Sequence, residues 1–352
     1  MMIKIQLTNQ MINSLIVIER NKTELSNTDL SVLLFNKFRK NTRKKSSFAS
    51  NKIEGNPLTF AQAEEAIESN NRHFLKPEQE IRNYYMALEY LDDELNKSTP
   101  VNLNLILEVQ KRIVDGEPKN KMGIRTATPP GVLFAVYDDK TGQPEYIPPE
   151  AKDVLPLLNE LLEYIANSDD HPIIKAAVLH YQLVTIHPFE DGNGRTARIL
   201  SNYLLAYYGY SFKSIGSLEE YFSFDIDEYY ASLQMGLPIL FYDGRNDPPN
   251  PEIWINYFLR IVSLYTNKVV EITKENLIDN EAISLQHLSI KARAFLQYLR
   301  KNKIYFFTPI GLSKKFIVTN RTIINWCNEL SISGFLIPKI VSKRITSYSL
   351  VR

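Results

Sequence analysis

Within twelve consecutive residues the chain carries His187, Asp191, two glycines flanking Asn193, and two arginines, Arg195 and Arg198. A histidine titrates near neutrality, so it can take a proton from a hydroxyl. Asp191, four residues on, offers a hard oxygen suited to Mg²⁺. Gly192 and Gly194 let the backbone come close to a ligand and aim N–H groups at it. The following ARILSNYLLAYY reads as a helix, which puts those groups at a helix N-terminus, an anion-binding position. Arg195 and Arg198 are three apart and share one face of the first turn. A base, a metal ligand, an anion cradle and two guanidiniums describe a site that handles phosphate.

Plainer readings compete. Gly192-x-Gly194-x-x-Ala197 matches a relaxed dinucleotide fingerprint, but that motif requires a strand before its first glycine. A helical pattern and the rigid His187-Pro188-Phe189 corner stand there instead. A structural loop with a buried histidine and solvated arginines is the other plain reading. His180 and His187 lack a sensibly spaced third metal ligand, and His180 reads as a helix-packing residue.

The segment from His187 to Arg198 resembles the Fic-domain signature, His-x-Phe-x-Asp/Glu-Gly-Asn-Gly-Arg-x-x-Arg, with every defined position filled. The likeness covers roughly residues 28 to 265. It implies a mainly α fold, a Fic-type helical bundle with a β-hairpin flap. It also implies a protein adenylyltransferase that moves AMP from Mg-ATP onto a Tyr, Thr or Ser hydroxyl, in a target protein or in itself. His187 would deprotonate the target hydroxyl and Asp191 would hold Mg²⁺. Gly192, Asn193 and Gly194 would cradle phosphate oxygens, Arg195 would bind the β-phosphate and Arg198 the γ-phosphate. Phe189 would anchor the loop. The branch of the family that phosphorylates resembles this motif with a lysine at the place of Gly194, so glycine favours AMP transfer. Tyr229 and Tyr230 are candidates for the adenine pocket.

The elements around the motif are mostly helical. Val154, Leu155, Leu158, Leu161, Leu162 and Ile165 lie on one helical face, and Thr59 with Gln62 reads as a capping box. Asp170-His171-Pro172 opens the helix that runs into His187, and Trp254 is expected in the core. One hairpin is expected over residues 131 to 149. Val132, Phe134 and Val136 alternate, Lys140-Thr141-Gly142 turns, and Glu145-Tyr146-Ile147 returns. By resemblance this flap, Gly131 to Pro149, would hold a target peptide by strand pairing.

Upstream, Ser50 and Glu54 share a helical face and Gly55 terminates the helix. A solvent-facing Glu at a helix end is the default reading. The segment resembles the inhibitory helix of the family (about residues 46 to 55), which implies that Glu54 pairs with Arg198 where the γ-phosphate belongs.

From residue 285 on, twelve bases, Lys343 and Arg352 among them, face one acid, Glu329. Residues 285 to 352 read as a small winged-helix domain, so DNA contact is one expectation and protein contact another. The expected organisation is 1–110 as an N-terminal helical region, 111–275 as the Fic core, and 285–352 as the winged helix. Asp247-Pro248-Pro249 forms a rigid turn, and a boundary is expected near residues 275 to 285.

Bulk composition constrains the rest. Over 352 residues, 44% hydrophobic and 23% charged content are ordinary for a globular chain, and the net charge of +1 argues against a polyanion-coated whole. A single cysteine, Cys327, excludes an internal disulfide and a cysteine-rich zinc site. The patch Leu15 to Ile18 is too short for a signal sequence, no run is long enough to span a membrane, and a cytoplasmic protein is expected. A homodimer is compatible with this reading. Two other functions remain open: a DNA-binding regulator that only senses nucleotide, and a de-adenylylating enzyme in which Glu54 positions water.

Overall fold

The computed structural model describes residues 5–28, 32–71, 73–129, 132, 134–137, 142–237, 248–286, 288–341 and 344–350. The chain forms two compact units, Met1–Glu271 and Ile272–Arg352.

The first unit is helical. Its helices are α1 (Asn9–Ser26), α2 (Val32–Ile53), α3 (Phe60–Glu68), α4 (Lys76–Asn96), α5 (Leu103–Ile113), α6 (Ala151–Asn167), α7 (Pro172–Ile186), α8 (Asn193–Tyr207), α9 (Leu218–Phe224), α10 (Ile226–Gln234) and the start of α11 (Pro251–Gln286). The centre is α7, where thirteen residues from Ile173 to Ile186 are buried. A helix that is apolar all round must be enclosed, and α6 and α8 pack against it. α6 buries Val154, Leu158, Leu161 and Ile165, one stripe, while Leu155 remains exposed. His171 caps α7 by accepting from Ile173 N, with Pro172 at the position that needs no N–H. Thr59 and Gln62 form the capping box of α3. Trp254 is fully buried and donates Nε1 to Ala177 O at 2.8 Å. The apolar patch at Leu15 to Ile18 belongs to α1, which buries Met11, Ile18, Asn21 and Leu25. Among the described residues, no helix is long and apolar enough to cross a membrane.

Among the described residues of the hairpin, β1 (Val136–Tyr137) and β2 (Pro144–Tyr146) pair, with Val136 opposite Tyr146. Val132 and Phe134 precede the strand. Val132 N donates to Pro129 O, and Phe134 packs over Arg125 and His187. Gly131, Lys140 and Thr141 lie outside the described residues, as does Asp247.

α5 runs through residue 110, so the helices before and after that point share one unit. The boundary expected near 275 to 285 falls inside α11, which stays helical to Gln286, and the division between units comes after Glu271.

The second unit orders α12 (Ile290–Lys301), β3 (Phe306–Phe307), α13 (Pro309–Phe316), α14 (Asn320–Ile332), β4 (Leu336–Val341) and β5 (Arg344–Leu350). The sheet runs β3-β5-β4, all antiparallel. Phe295, Leu299, Phe307, Ile323, Cys327, Leu330 and Tyr348 fill its core, with Trp326 packed at the edge. Ser289, Thr308 and Thr319 cap α12, α13 and α14 with their hydroxyls. Strand β3 has no counterpart in the sequence reading, because two aromatics after a helix carry no alternation. Lys343 and Arg352 lie outside the described residues.

Candidate active site

The site forms where α7 stops and α8 starts. His187 closes α7 in the left-handed conformation, φ 49° and ψ 58°, with its N–H bonded to Leu183 O. Pro188 then cannot extend the helix. A residue with a side chain rarely holds that backbone shape, and it persists here because the loop is tied on every side. Phe189 is fully buried. Asn193 Oδ1 accepts from Phe189 N at 2.9 Å, and Asn193 Nδ2 donates to Phe189 O at 2.8 Å. The Asn193 side chain, expected to cradle phosphate, is therefore occupied with bracing the loop.

Gly192 begins α8 with φ +80°, and a Cβ there would lie 3.2 Å from both Ile113 and Val114. Glycine alone meets both demands. A helix start leaves its first N–H groups without intrahelical acceptors, and they face the loop mouth together with the positive end of the dipole.

The His187 ring is partly exposed, and its Nδ1 lies 3.2 Å from Val184 O. A carbonyl only accepts, so Nδ1 carries the hydrogen and Nε2 keeps its lone pair. Burial, assisted by the Arg125 charge, pushes the imidazole down to about 4 against the bond to Val184. The ring is neutral at pH 7 and able to take a proton.

Asp191 places Oδ1 2.9 Å from Arg195 Nη2 and Oδ2 3.2 Å from Lys121 Nζ. Burial would raise its pKa, but the two cations hold it below the usual carboxylate range. Arg195 is buried and reaches Asn51 Oδ1 at 3.5 Å, while its Nε has no acceptor among the described residues. A buried guanidinium with an unused donor suits an anion. A cavity of about 290 Å³ borders Asp191 and Arg195, with Glu80, Asn83, Ile113 and Asp115 on its walls.

Arg198 is 1% exposed. Its Nε donates to Ser50 Oγ at 2.9 Å, and its Nη2 donates to Ser50 O at 3.1 Å and to Glu54 Oε1 at 2.5 Å. Burial opposes the Arg198 charge, yet Glu54 beside it raises the pKa overall. Burial works against Glu54 too, and Arg198 and Arg195 still hold its carboxyl below the ordinary value. Glu54 follows the end of α2, where Gly55 turns the chain with φ +81°. A Cβ on Gly194 would meet Glu54 Oε1 at 2.4 Å. The carboxylate thus sits directly over the start of α8.

The structure brings His187, Asp191, Gly192, Gly194, Arg195, Arg198, Ser50 and Glu54 together. It sets Tyr229 apart. That ring is buried against Phe222 and Trp254, and its hydroxyl lies 2.8 Å from His180 Nε2 and 3.4 Å from Arg198 Nη1. Tyr229 is a core residue behind Arg198 and presents no free face to adenine, whereas Tyr230 is half exposed. His180 packs among Phe222, Tyr229 and Trp254, as its spacing suggested. Two contributors escape sequence reading. Arg125 donates Nε to His187 O at 2.8 Å and Nη2 to Pro149 O, which ties the base to the end of the hairpin. Lys121 neutralises Asp191. Both bind through folding alone and carry no local motif.

Residues 100–205 match the model of the Fic/DOC family. It is similar to the protein adenylyltransferase Fic of Nematostella vectensis, 30% identical over 171 residues, and to that of Drosophila grimshawi, 34% identical over 165. These alignments cover 46% and 45% of this chain, and 37% and 32% of the relatives, so the chain spans about a third of their length. Among solved structures, a Fic family protein from Desulfovibrio desulfuricans G20 shares the fold with a TM-score of 0.58 at 19% identity, covering 99% of this chain and 97% of that one. A Fic domain containing signaling protein from Bacteroides thetaiotaomicron gives 0.61 at 22% identity, covering 74% and 97%.

Proposed function

We propose that this chain is a protein adenylyltransferase restrained by its own Glu54. One observation carries the reading: a carboxylate, the Glu54 side chain, already lies at the α8 N-terminus in contact with Arg198 and against Gly194. The cradle binds an anion, and the anion it holds is part of the chain. The named relatives are protein adenylyltransferases, which supports ATP as the natural competitor.

In this reaction His187 Nε2 takes the proton of a target hydroxyl, Tyr, Thr or Ser. The freed oxygen bonds to the α-phosphorus, and the bond to the bridging oxygen breaks, releasing pyrophosphate. Arg195 and Arg198 neutralise the departing charge, which is where electrostatic stabilisation counts most. Mg²⁺ fits the donor set, since one carboxylate beside phosphate oxygens and water suits it; Asp191 would hold it, and it would add positive charge at the phosphates. The hairpin, fixed to the His187 loop through Arg125 and through Tyr146 Oη on Thr185 O at 2.5 Å, presents a strand edge to a protein target.

The test is transfer of label from α-labelled ATP to protein by wild type, Glu54→Gly and His187→Ala. Strong label with Glu54→Gly, abolished by adding His187→Ala, is expected. Absence of label from every variant with ATP still bound would replace this reading with nucleotide sensing. Release of AMP from a labelled target by wild type would favour the reverse reaction.

A second reading concerns residues 285–352. The α13–α14 pair with the β4–β5 hairpin has the order of a winged helix, and α14 exposes Arg321 and Asn325 one turn apart. Lys314, Lys315 and Lys339 are also exposed. The one acid of this stretch, Glu329, accepts from Ser289 N. Such a surface suits duplex DNA, where Arg and Asn side chains pair with purine edges.

A further inference from the structure

We propose that Glu219 is the positioning residue that latches the brake helix α2 onto α8; the proposal rests on the reading of Glu54 as a brake.

Glu219 lies in α9 and is fully buried, yet no cation pairs with it among the described residues; hydroxyl and amide donors surround it instead. Oε2 lies 3.0 Å from Ser46 Oγ and 2.8 Å from Ser217 Oγ. Oε1 accepts from Tyr84 Oη at 2.9 Å and from Asn202 Nδ2 at 2.8 Å. The donors come from α2, the N-cap of α9, α4 and α8, so one side chain joins four parts of the fold.

The spacing of those donors matters. Ser46, Ser50 and Glu54 follow at intervals of four and form one stripe along α2. On α8, Arg198 and Asn202 are also four apart. Running in opposite directions, the two stripes meet twice, once at Ser46–Glu219–Asn202 and once at Ser50 and Glu54 on Arg198. Tyr84 stands near both meeting points: its hydroxyl donates to Glu219, and the Arg198 charge acts on it as well. At the first meeting Ser46, Ser217 and Glu219 are buried, one turn of α8 beyond the second, which borders the site. Buried polar groups tolerate no loss of a partner without rearrangement, so the Glu219 cluster dictates where α2 lies and where it delivers Glu54.

The experiment compares Ser46→Ala and Glu219→Ala, each alone and combined with Glu54→Gly. Label transfer from α-labelled ATP is measured together with hydrogen exchange of the α2 amides. Ser46→Ala is the mild variant, deleting one donor at the α2 face. Each single variant is expected to raise transfer about 5-fold or more, the low end of couplings between linked sites, and to speed exchange over residues 46–54. In the Glu54→Gly background neither should add anything. Lowered transfer in both backgrounds would mean a merely structural role and overturn the proposal. Unchanged exchange over α2 would overturn it whatever the label does. Failure of Glu54→Gly itself to label protein would instead sink the transferase reading, and with it the consequence assigned to the latch.

Discussion

Glu54 Oε1 stands 2.5 Å from Arg198 Nη2, although 144 residues separate the two in the chain. The Arg198 side chain is 1% exposed and that of Glu54 33%. The pair therefore has a buried cation and a carboxylate that faces the site. At an effective dielectric near 20 two charges about 4 Å apart attract by about 4 kcal/mol, part of which desolvation removes.

Replacing Glu54 by Gly should raise AMP transfer at least tenfold, since about 1.4 kcal/mol of lost competition suffices for that factor. The same change strands a buried guanidinium, so the nucleotide-free protein should lose about 1–3 kcal/mol of stability. Mg-ATP should then raise the melting temperature of Glu54→Gly by more than that of wild type. Equal shifts for both would contradict the shared site.

Gly194→Ala tests where the ligand goes. The new methyl would meet Glu54 Oε1 at 2.4 Å and Arg198 Nη1 at 3.2 Å. In the Glu54→Gly background it would still fill the mouth of α8, and nucleotide affinity should fall about tenfold or more. Undiminished ATP binding in a titration would move the phosphates elsewhere.

Arg125→Lys keeps the charge but cannot span His187 O and Pro149 O together. A misplaced base costs rate more than binding, and displacements of about 1 Å cost as much as about 100-fold. With Glu54→Gly as parent, kcat should drop about tenfold or more while the Kd for ATP is unchanged. A fall in ATP affinity alone would count against this role.

The pH behaviour follows from His187. Its folded pKa, near 4, is below the unfolded value near 6.5. Between those values the unfolded chain binds the extra proton, so stability present above pH 6.5 is lost as pH falls toward 4. The loss at pH 5 is on the order of 2 kcal/mol, reduced by the partial exposure of the ring. Urea unfolding at pH 7 and pH 5 should show this slope in wild type and a shallower one in His187→Asn. The rate profile of Glu54→Gly should show no histidine limb between about pH 5 and 7.

For the second unit, the DNA reading predicts that affinity for a duplex falls steeply with salt and that Arg321→Ala weakens it. Fluorescence anisotropy across a salt series measures both. A salt-independent or absent signal would leave the exposed bases to a protein or another polyanion.

The contiguous part of the site was legible in the sequence, because His187, Asp191 and Arg198 lie on one turn-and-helix segment whose geometry follows from local rules. The helices around it were legible for the same reason: α6 and α7 announce themselves by periodicity and by Pro172. Long-range pairings were not. Ser50 and Glu54 are unremarkable on their own helix, and only the resemblance joined them to Arg198. Asn193 looked like a ligand-facing amide, yet both of its polar atoms are satisfied by the backbone of Phe189, a local bond that residue type does not reveal. Tyr229 failed similarly, since an aromatic near a site reads equally well as a wall or as core. Arg125 and Glu219 act through buried contacts to distant elements, and no spacing rule marks such residues.

The left-handed turn at Gly55 leaves Glu54 as the last side chain of the α2 arm, and under the proposed function this fixes the kinetics of restraint. An inhibitor carried on the same molecule acts at a constant effective concentration, so its occupancy does not change when the protein is diluted, overexpressed or moved between compartments. Control of such an enzyme is therefore a question of leverage on one helix, and a small displacement at its anchored end is felt where the nucleotide must enter.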